Sequence, residues 1–388
     1  MWRHIASNAF TFLVVAVFLV GGVILWGQRE YSSAGPLEEQ ICLRVERGAS
    51  MRGVSQQLER ENAVTNSAIF RMGADYSDKS RQLKAGSWLI PAGTSMSDIT
   101  DIITRGGAST CGTEVVYRIG VTRSLIEVRE LDPTTNRYVE KAEFNPAEDD
   151  APVEFAQVRA QSDTRYRIAI AEGVTSWQIV EGLKSVDVLD GEVAEVPPEG
   201  SLAPDSYDVA TGDSRAEVIS QMRDKQDAIL ASAWENRAEG LPLESAYEAL
   251  ILASIIEKET GVPTERGEVA SVFTNRLNQG MKLQTDPTVI YGVTEGVGVL
   301  GRGLRQSELR ASTPWNTYVI NGLPPTPIAS PGRASIEAAV NPPESDYIFF
   351  VAKSLNPRDG HLFAVTLEEH NANVALYREL ERQRDADQ

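Results

Sequence analysis

The chain has 388 residues, enough for more than one domain. Hydrophobic residues make up 42% and charged residues 24%, the balance of an ordinary globular protein, with a net charge of −18 and a pI near 4.7. That acidity argues against nucleic acid, which is bound through clustered Lys and Arg, and does not favour an anionic membrane surface; its plain reading is solubility.

From Ala9 to Gly27 the sequence carries no charge, a run long enough to span a bilayer as a helix. Trp2 and Trp26 stand near its ends, where interfacial aromatics sit. Residues 1–8 then read as a cytoplasmic N-terminus, 9–27 as a transmembrane helix and 28–40 as a polar linker with Gly-Pro. A cleaved signal peptide is the rival, but its apolar core is normally shorter and closely followed by small residues, whereas Trp26, Gln28, Arg29 and Glu30 follow here. Arg3 and Arg29 flank the span, so charge bias barely decides orientation; the long remainder is most easily understood as exported.

Cys42 and Cys111 bracket the next segment. In an oxidising compartment they can join and staple it, stabilising by roughly 3–5 kcal/mol; two unpaired thiols are the alternative, and the sequence leaves the choice open. A short pattern then recurs: Gly48 with Ser50, Val54 and Leu58; Gly93 with Ser95, Ile99 and Ile103; Gly173 with Thr175, Ile179 and Leu183. Each is a glycine turn, a hydroxyl suited to N-capping, and apolar residues one helical turn apart. With strand-like Leu43–Val45 and Gly86–Ile90, residues 41–106 read as a small βααβ unit with a further helix. Residues 107–164 read as an inserted β-rich element: strands at Val115–Ile119 and Leu125–Val128, a turn at Asp132–Asn136, a return at Arg137–Glu140, an acidic loop at Glu148–Pro152 and then Val153–Phe155.

Residues 165–388 change character. A strand at Tyr166–Ile170 is followed by the third capped helix. Helices are expected at Ser214–Arg237, Glu244–Glu259 and Glu265–Gln279, the last capped by Thr264. Residues 280–335, rich in Gly, Pro and Thr, read mostly as loops. A buried strand at Asp346–Val351 pairs with Leu362–Val365, and Leu367–Arg384 forms a terminal helix. Helix-rich, loop-rich and sheet segments in that order give an α+β fold.

The segment Ala253–Thr260 ends an apolar helix with two glutamates. On a helix Leu250, Ala253 and Ser254 share the face of Glu257, and partial burial there disfavours the charged form, as an acid catalyst requires near neutral pH. Glu259 has Leu252, Ile255 and Ile256 at the same offsets, so periodicity does not choose between them. Most helix glutamates are merely solvated; the apolar run and the polar loop that follows single these out. That loop holds Gln284, Thr285, Asp286 and Tyr291. Asn316, Thr317 and Tyr318 form a second polar-aromatic group before Gly322-Leu-Pro-Pro325. Amides, hydroxyls and rings suit a sugar; simple turns are the alternative. Gly296-Val-Gly-Val-Leu-Gly301 spells a dinucleotide fingerprint with no clear opening helix behind it. No P-loop and no Gly-x-Ser-x-Gly elbow occur. Two cysteines and three histidines without zinc-finger or HExxH spacing leave no metal site expected.

Together with Glu265-Arg266, Val269–Phe273, Asn275–Leu277, Gly280–Gly292, Asn316–Tyr318, Gly322–Pro325, Ile328–Arg333, Tyr347–Val351, Gly360-His361 and His370-Asn371, the segment Ala253–Thr260 resembles the YceG-like endolytic murein transglycosylases. The resemblance is dense between residues 200 and 375 and looser over 41–106, which looks like the family's LysM-like segment. It implies an enzyme without cofactor or metal, anchored in the inner membrane with its catalytic domain on the periplasmic side. It implies cleavage between N-acetylmuramic acid and N-acetylglucosamine within peptidoglycan strands, near the peptidoglycan synthases, ending nascent strands. Glu257 would be the general acid and base, with Gln284, Thr285, Asp286, Asn316 and Tyr318 lining the saccharide cleft. The muramoyl C6 hydroxyl would replace water as nucleophile and leave a 1,6-anhydro end. The sequence departs from the family at the 107–164 insertion and at Ser206, where Thr is usual. A non-catalytic peptidoglycan-binding scaffold is one alternative. A muramidase is another; it needs a second carboxylate, with Glu259, Glu265 and Asp286 as candidates.

Overall fold

The computed structural model describes residues 2–161 and 163–386. Helix α1 (Trp2–Ser32) is unbroken, and Phe10–Ser32 within it is the one segment among the described residues long and apolar enough to cross a membrane. It runs beyond Gly27 into the expected linker because Gln28–Tyr31 contain no breaker; the chain leaves the helix just before Gly35-Pro36.

The chain divides into two units. One runs to Val116 and adds Glu127–Phe144 and Asp150–Tyr166; the other holds Tyr117–Ile126, Asn145–Asp149 and the chain from Arg167 onward. In the first, β1 (Ile41–Val45) is followed by α2 (Met51–Arg60), α3 (Ser67–Tyr76), β2 (Gly86–Ile90) and α4 (Met96–Arg105). β1 and β2 pair antiparallel with Leu43 opposite Trp88. The hydroxyls of Ser50 and Ser95 cap α2 and α4 by accepting from the backbone of Gly53 and Asp98. Gly48 and Gly93 precede them in left-handed backbone, φ 80° and 70°, as the recurring pattern predicts. Leu43, Leu58, Phe70, Ile90, Ile99 and Ile103 are fully enclosed in the core between these elements. Cys42 and Cys111 form a disulfide with Cα atoms 5.9 Å apart.

Next come β3 (Thr113–Ile119), β4 (Ser124–Asp132) and β5 (Arg137–Phe144), then α5 (Val153–Arg159), β6 (Arg165–Ile170), α6 (Ser176–Lys184) and β7 (Ser206–Val209). The strands lie in the order β5-β4-β3-β6-β7. The expected strands are present, but Val153–Phe155 opens a helix, with Pro152 at its N-cap. Thr175 caps α6 in a full capping box with Gln178, and Gly173 before it has φ 79°.

The second unit is built around α8 (Ala246–Glu259). Every residue from Ala249 to Ile256 is buried, so the helix is enclosed on all sides rather than amphipathic. α7 (Arg215–Glu235), α9 (Arg266–Asn278) and α12 (Arg333–Val340) surround it through Ile229, Phe273 and Ile336. Ser245 caps α8 by accepting from Glu248 N at 3.2 Å. β8 (Phe349–Ala352) and β9 (His361–Ala364) pair antiparallel, and α13 (Leu367–Ala386) ends the described chain. β8 is shorter than the expected strand and only half-buried.

One expectation for this unit is refined and one is corrected. Residues 280–335 are mostly loop, as expected, but α10 (Asp286–Thr294) and α11 (Gln306–Leu309) lie within them, and α12 starts at Arg333. Asp286-Pro287 reads as a turn by composition, but proline is equally at home in the first turn of a helix, and Thr285 is the N-cap. Thr264 does not cap α9; it sits within a short 3-10 turn, Pro263–Glu265, leading into that helix.

Candidate active site

α8 delivers Glu257, Lys258 and Glu259 at its last turn. At about 100° per residue, the two glutamates point to nearly opposite sides of the helix, and they meet different surroundings.

Glu257 faces the turns around Gly173 and Gly332. Its Oε2 accepts from Gly332 N at 2.9 Å, and a Cβ built on Gly173 would stand 3.7 Å from its Cγ. Exposed Glu172 leans over Gly332 so closely that a Cβ there would overlap its carboxyl. Partial desolvation, then the charges of Glu257 and Asp205, push Glu172 above the usual carboxylate range, with Arg266 opposing. Lys258 donates to Gly173 O at 3.1 Å; burial lowers its pKa, against the pull of Glu257 and Glu199. Burial raises Glu199, which accepts from Ser176 N at 2.8 Å and from the Tyr291 hydroxyl at 3.3 Å.

Glu259 faces the polar loop. The Thr285 hydroxyl donates to its Oε1. Desolvation of its half-buried side chain pushes the Glu259 carboxyl above its ordinary range; Asp286 adds to this, while Thr285, His361 and Arg276 act against it. Arg276 is itself buried and held by the carbonyls of Ile348, at 2.7 Å, and Leu283. Burial lowers its pKa, and Glu259 supports its charge. The Tyr318 hydroxyl donates to Asp286 Oδ1 at 2.7 Å, and burial followed by that carboxylate pushes the phenol up. Thr285 N donates to Thr317 Oγ1 at 3.1 Å, which ties the two polar groups of the sequence together.

His361 is fixed on the same side of the unit. Its Nδ1 lies 2.7 Å from Glu265 Oε1 and its backbone N donates to Glu265 Oε2 at 2.8 Å. The Thr260 hydroxyl also donates to Glu265 Oε1, at 2.6 Å. Desolvation alone would raise Glu265, but these three donors hold it below the usual range.

Thr285, Asp286 and Tyr318 therefore gather with Glu259. Gln284 is exposed beside them in left-handed backbone, φ 50°, and its N donates to Thr317 O at 3.2 Å. Asn316 is fully buried: its amide donates to the carbonyls of Glu308, Leu309 and Ala311, and its Oδ1 accepts from Tyr318 N. That side chain shapes the loop and has no free group for a ligand. Among the hydrogen bonds and ion pairs of the described residues, Glu257 meets none of these five. Arg276, the His361–Glu265 pair, Glu172 and Glu199 were not singled out as site residues by the sequence; His361 and Glu265 drew notice, but their pairing spans 96 positions. The glycines of the dinucleotide-like run, 296, 298 and 301, all have positive φ and lie in a loop.

A desolvated acid at a helix end, with hydroxyls and a second carboxylate near it, is an arrangement able to do acid–base chemistry of the kind used on glycosides. A model of the YceG-like family matches residues 43–376, and the chain belongs to that family. It is 27% identical over 366 residues to an endolytic murein transglycosylase of Bacillus subtilis, covering 92% of this chain and 91% of that protein. It is 26% identical over 384 residues to an endolytic murein transglycosylase of Streptococcus pneumoniae, covering 96% of this chain but 65% of that longer protein. The crystal structure of a YceG-like protein from Listeria monocytogenes aligns with 86% of this chain and 99% of its own, at 26% identity and a TM-score of 0.44.

Proposed function

We propose that this protein is an endolytic murein transglycosylase, anchored by α1, that cuts between N-acetylmuramic acid and N-acetylglucosamine within peptidoglycan strands. Its relatives of the same name support the substrate class. For the acid we favour Glu259 over Glu257. The observation that carries this choice is the hydrogen bond from Thr285 to Glu259, in a site that Asp286 and Tyr318 complete.

The chemistry follows from that arrangement. Burial raises the pKa of Glu259 and so favours the protonated form, which donates to the glycosidic oxygen as the C1–O bond breaks. Asp286 faces the positive charge that grows on the ring, and Tyr318 holds Asp286 in place. The ionised Glu259 is then supported by Thr285, Arg276 and His361, and it takes the proton from the muramoyl C6 hydroxyl as that oxygen closes on C1. The product carries a 1,6-anhydromuramoyl end. Gln284 stands exposed at the loop to meet the sugar amides. The βααβ segment of the first unit serves as a LysM-like glycan-binding module. The enzyme works outside the inner membrane beside the peptidoglycan synthases and ends nascent strands.

A water-using muramidase is the second reading, and Asp286 is the observation that favours it: it acts electrostatically on Glu259 and is open to solvent. Glu265 is committed to Thr260 and His361 on both oxygens. Mass spectrometry of products from purified glycan strands separates the readings. Anhydromuramoyl ends made by the wild type and lost in Glu259→Gln support the proposal. Reducing ends point to hydrolysis, and strand binding without cleavage points to a scaffold.

A further inference from the structure

α1 does not stop where its apolar run stops. Trp26 closes the run and the helix continues to Ser32. At about 1.5 Å per residue, Tyr31 stands roughly 7–8 Å beyond Trp26 along the axis. A bilayer of about 40–45 Å with a hydrocarbon core of about 30 Å leaves roughly 5–8 Å of headgroup layer on each side. If Trp26 marks the edge of the core, Tyr31 lies at the outer limit of the headgroups, and there the helix docks onto the folded part of the first unit.

The docking is close and specific. The Tyr31 ring lies on Gly73 of α3, where any Cβ would overlap it. Its hydroxyl donates to Thr100 Oγ1 of α4 at 2.9 Å. The Thr65 hydroxyl donates to Glu30 Oε1. Just beyond the helix, Gly35 N donates to Gly93 O at 3.2 Å and Gly93 N to Leu37 O at 2.8 Å. The segment after the span is thus packed, not a free tether.

On α3, Met72 and Tyr76 are one helical turn apart and form a stripe about 60–100° around the helix from the Gly73 face that meets Tyr31. Met72 is 62% exposed and Tyr76 86% exposed, while Phe70 and Ala74 on the inner face are fully buried. A tyrosine and a methionine left bare beside the exit of the span are suited to a layer that is apolar below and wet above.

We infer that Met72 and Tyr76 lie in the headgroup layer, so that α3 is a second lipid contact that clamps the first unit to the bilayer at a fixed height. The inference rests on the reading of α1 as a membrane span. Arg71, Asp75 and Asp78 flank the stripe with mixed charge, so the contact is with zwitterionic headgroups and not with an anionic patch.

The test uses the full chain in phosphatidylcholine vesicles. The native cysteines are paired, so a Tyr76→Cys or Met72→Cys variant offers a single free thiol for a fluorophore. Vesicles with and without a lipid carrying a nitroxide near its headgroup are compared, with Glu140→Cys on β5 as the reference for chance encounters. Quenching of about twofold or more at 72 and 76, well above that at 140, is expected of groups at the interface. A chain that floats with the vesicles but shows no excess quenching overturns the clamp and leaves the span standing. A chain that does not float with them removes the span, and the clamp with it.

Discussion

Thr285 donates its hydroxyl to Glu259 from the N-cap position of α10, so the start of one helix fixes a carboxyl group at the end of another. Thr285 N is in turn held by Thr317, whose hydroxyl also lies 2.8 Å from that of Thr288. The loop is therefore tied down before any ligand arrives, which is what pre-organised chemistry requires.

The two glutamates are separable. Removing a positioned proton donor costs about 10²–10⁴-fold. Glu259→Gln is expected to lose activity on that scale, with glycan binding kept. Glu257→Gln, which removes a charge beside Lys258 and Glu172 but keeps an oxygen that can accept from Gly332 N, is expected to stay within about tenfold of wild type. Rates of anhydromuramoyl release decide it, and the reverse pattern restores Glu257 as the acid.

The pH profile carries a sign. Glu259 must be protonated to donate, so kcat falls as pH rises through its pKa, which burial places above the ordinary 4.5. The Thr285 bond stabilises the ionised form, so Thr285→Val raises that pKa further and moves the basic limb to higher pH. A basic limb that stays in place or moves down contradicts the assignment.

The same shift has a cost in stability. A carboxyl whose folded pKa lies above its unfolded value holds a proton in the native state that the unfolded chain has lost, so stability falls as pH rises from about 4.5 upward. Glu259→Gln removes that dependence. Its Tm relative to wild type is expected to be higher at pH 8 than at pH 5, measured by thermal unfolding of the folded chain at both.

Glu265 works in the opposite sense. Its donors depress its pKa, so its contribution is present above the unfolded value and is lost as pH falls through the folded one. Glu265→Gln weakens the bonds to His361 and Thr260 at a cost of about 2–3 kcal/mol at neutral pH and flattens the loss of stability in acid. Denaturant titrations at pH 7 and pH 4 check both statements.

The disulfide closes a loop of 69 positions. On the chain-entropy model such a closure contributes about 4 kcal/mol. The double substitution Cys42→Ser and Cys111→Ser is expected to lower the stability of the first unit by that order and to leave the rate of product release unchanged, as seen in denaturant unfolding alongside product release.

Local signals in the sequence were sufficient where the physics is local. The glycine turn followed by a capping hydroxyl was legible at Ser50, Ser95 and Thr175, because a cap is settled by φ at one residue and a side chain three residues from its partner. The apolar stretch of α8 and the uncharged run of α1 were legible for the same reason. α10 was not: Asp286-Pro287 suits a turn and a helix start equally, and only packing distinguishes them.

Two glutamates at the end of an apolar helix, a polar loop after them and an α+β order of elements were fixed by the chain alone. Which glutamate meets that loop was not, since Glu257 and Glu259 have equivalent apolar neighbours at the same helical offsets. The choice depends on the direction in which α8 presents its last turn, toward Gly332 on one side and Thr285 on the other. The inward turn of Asn316 and the pairing of His361 with Glu265 depend likewise on partners brought together by burial, a long-range effect that no local spacing encodes.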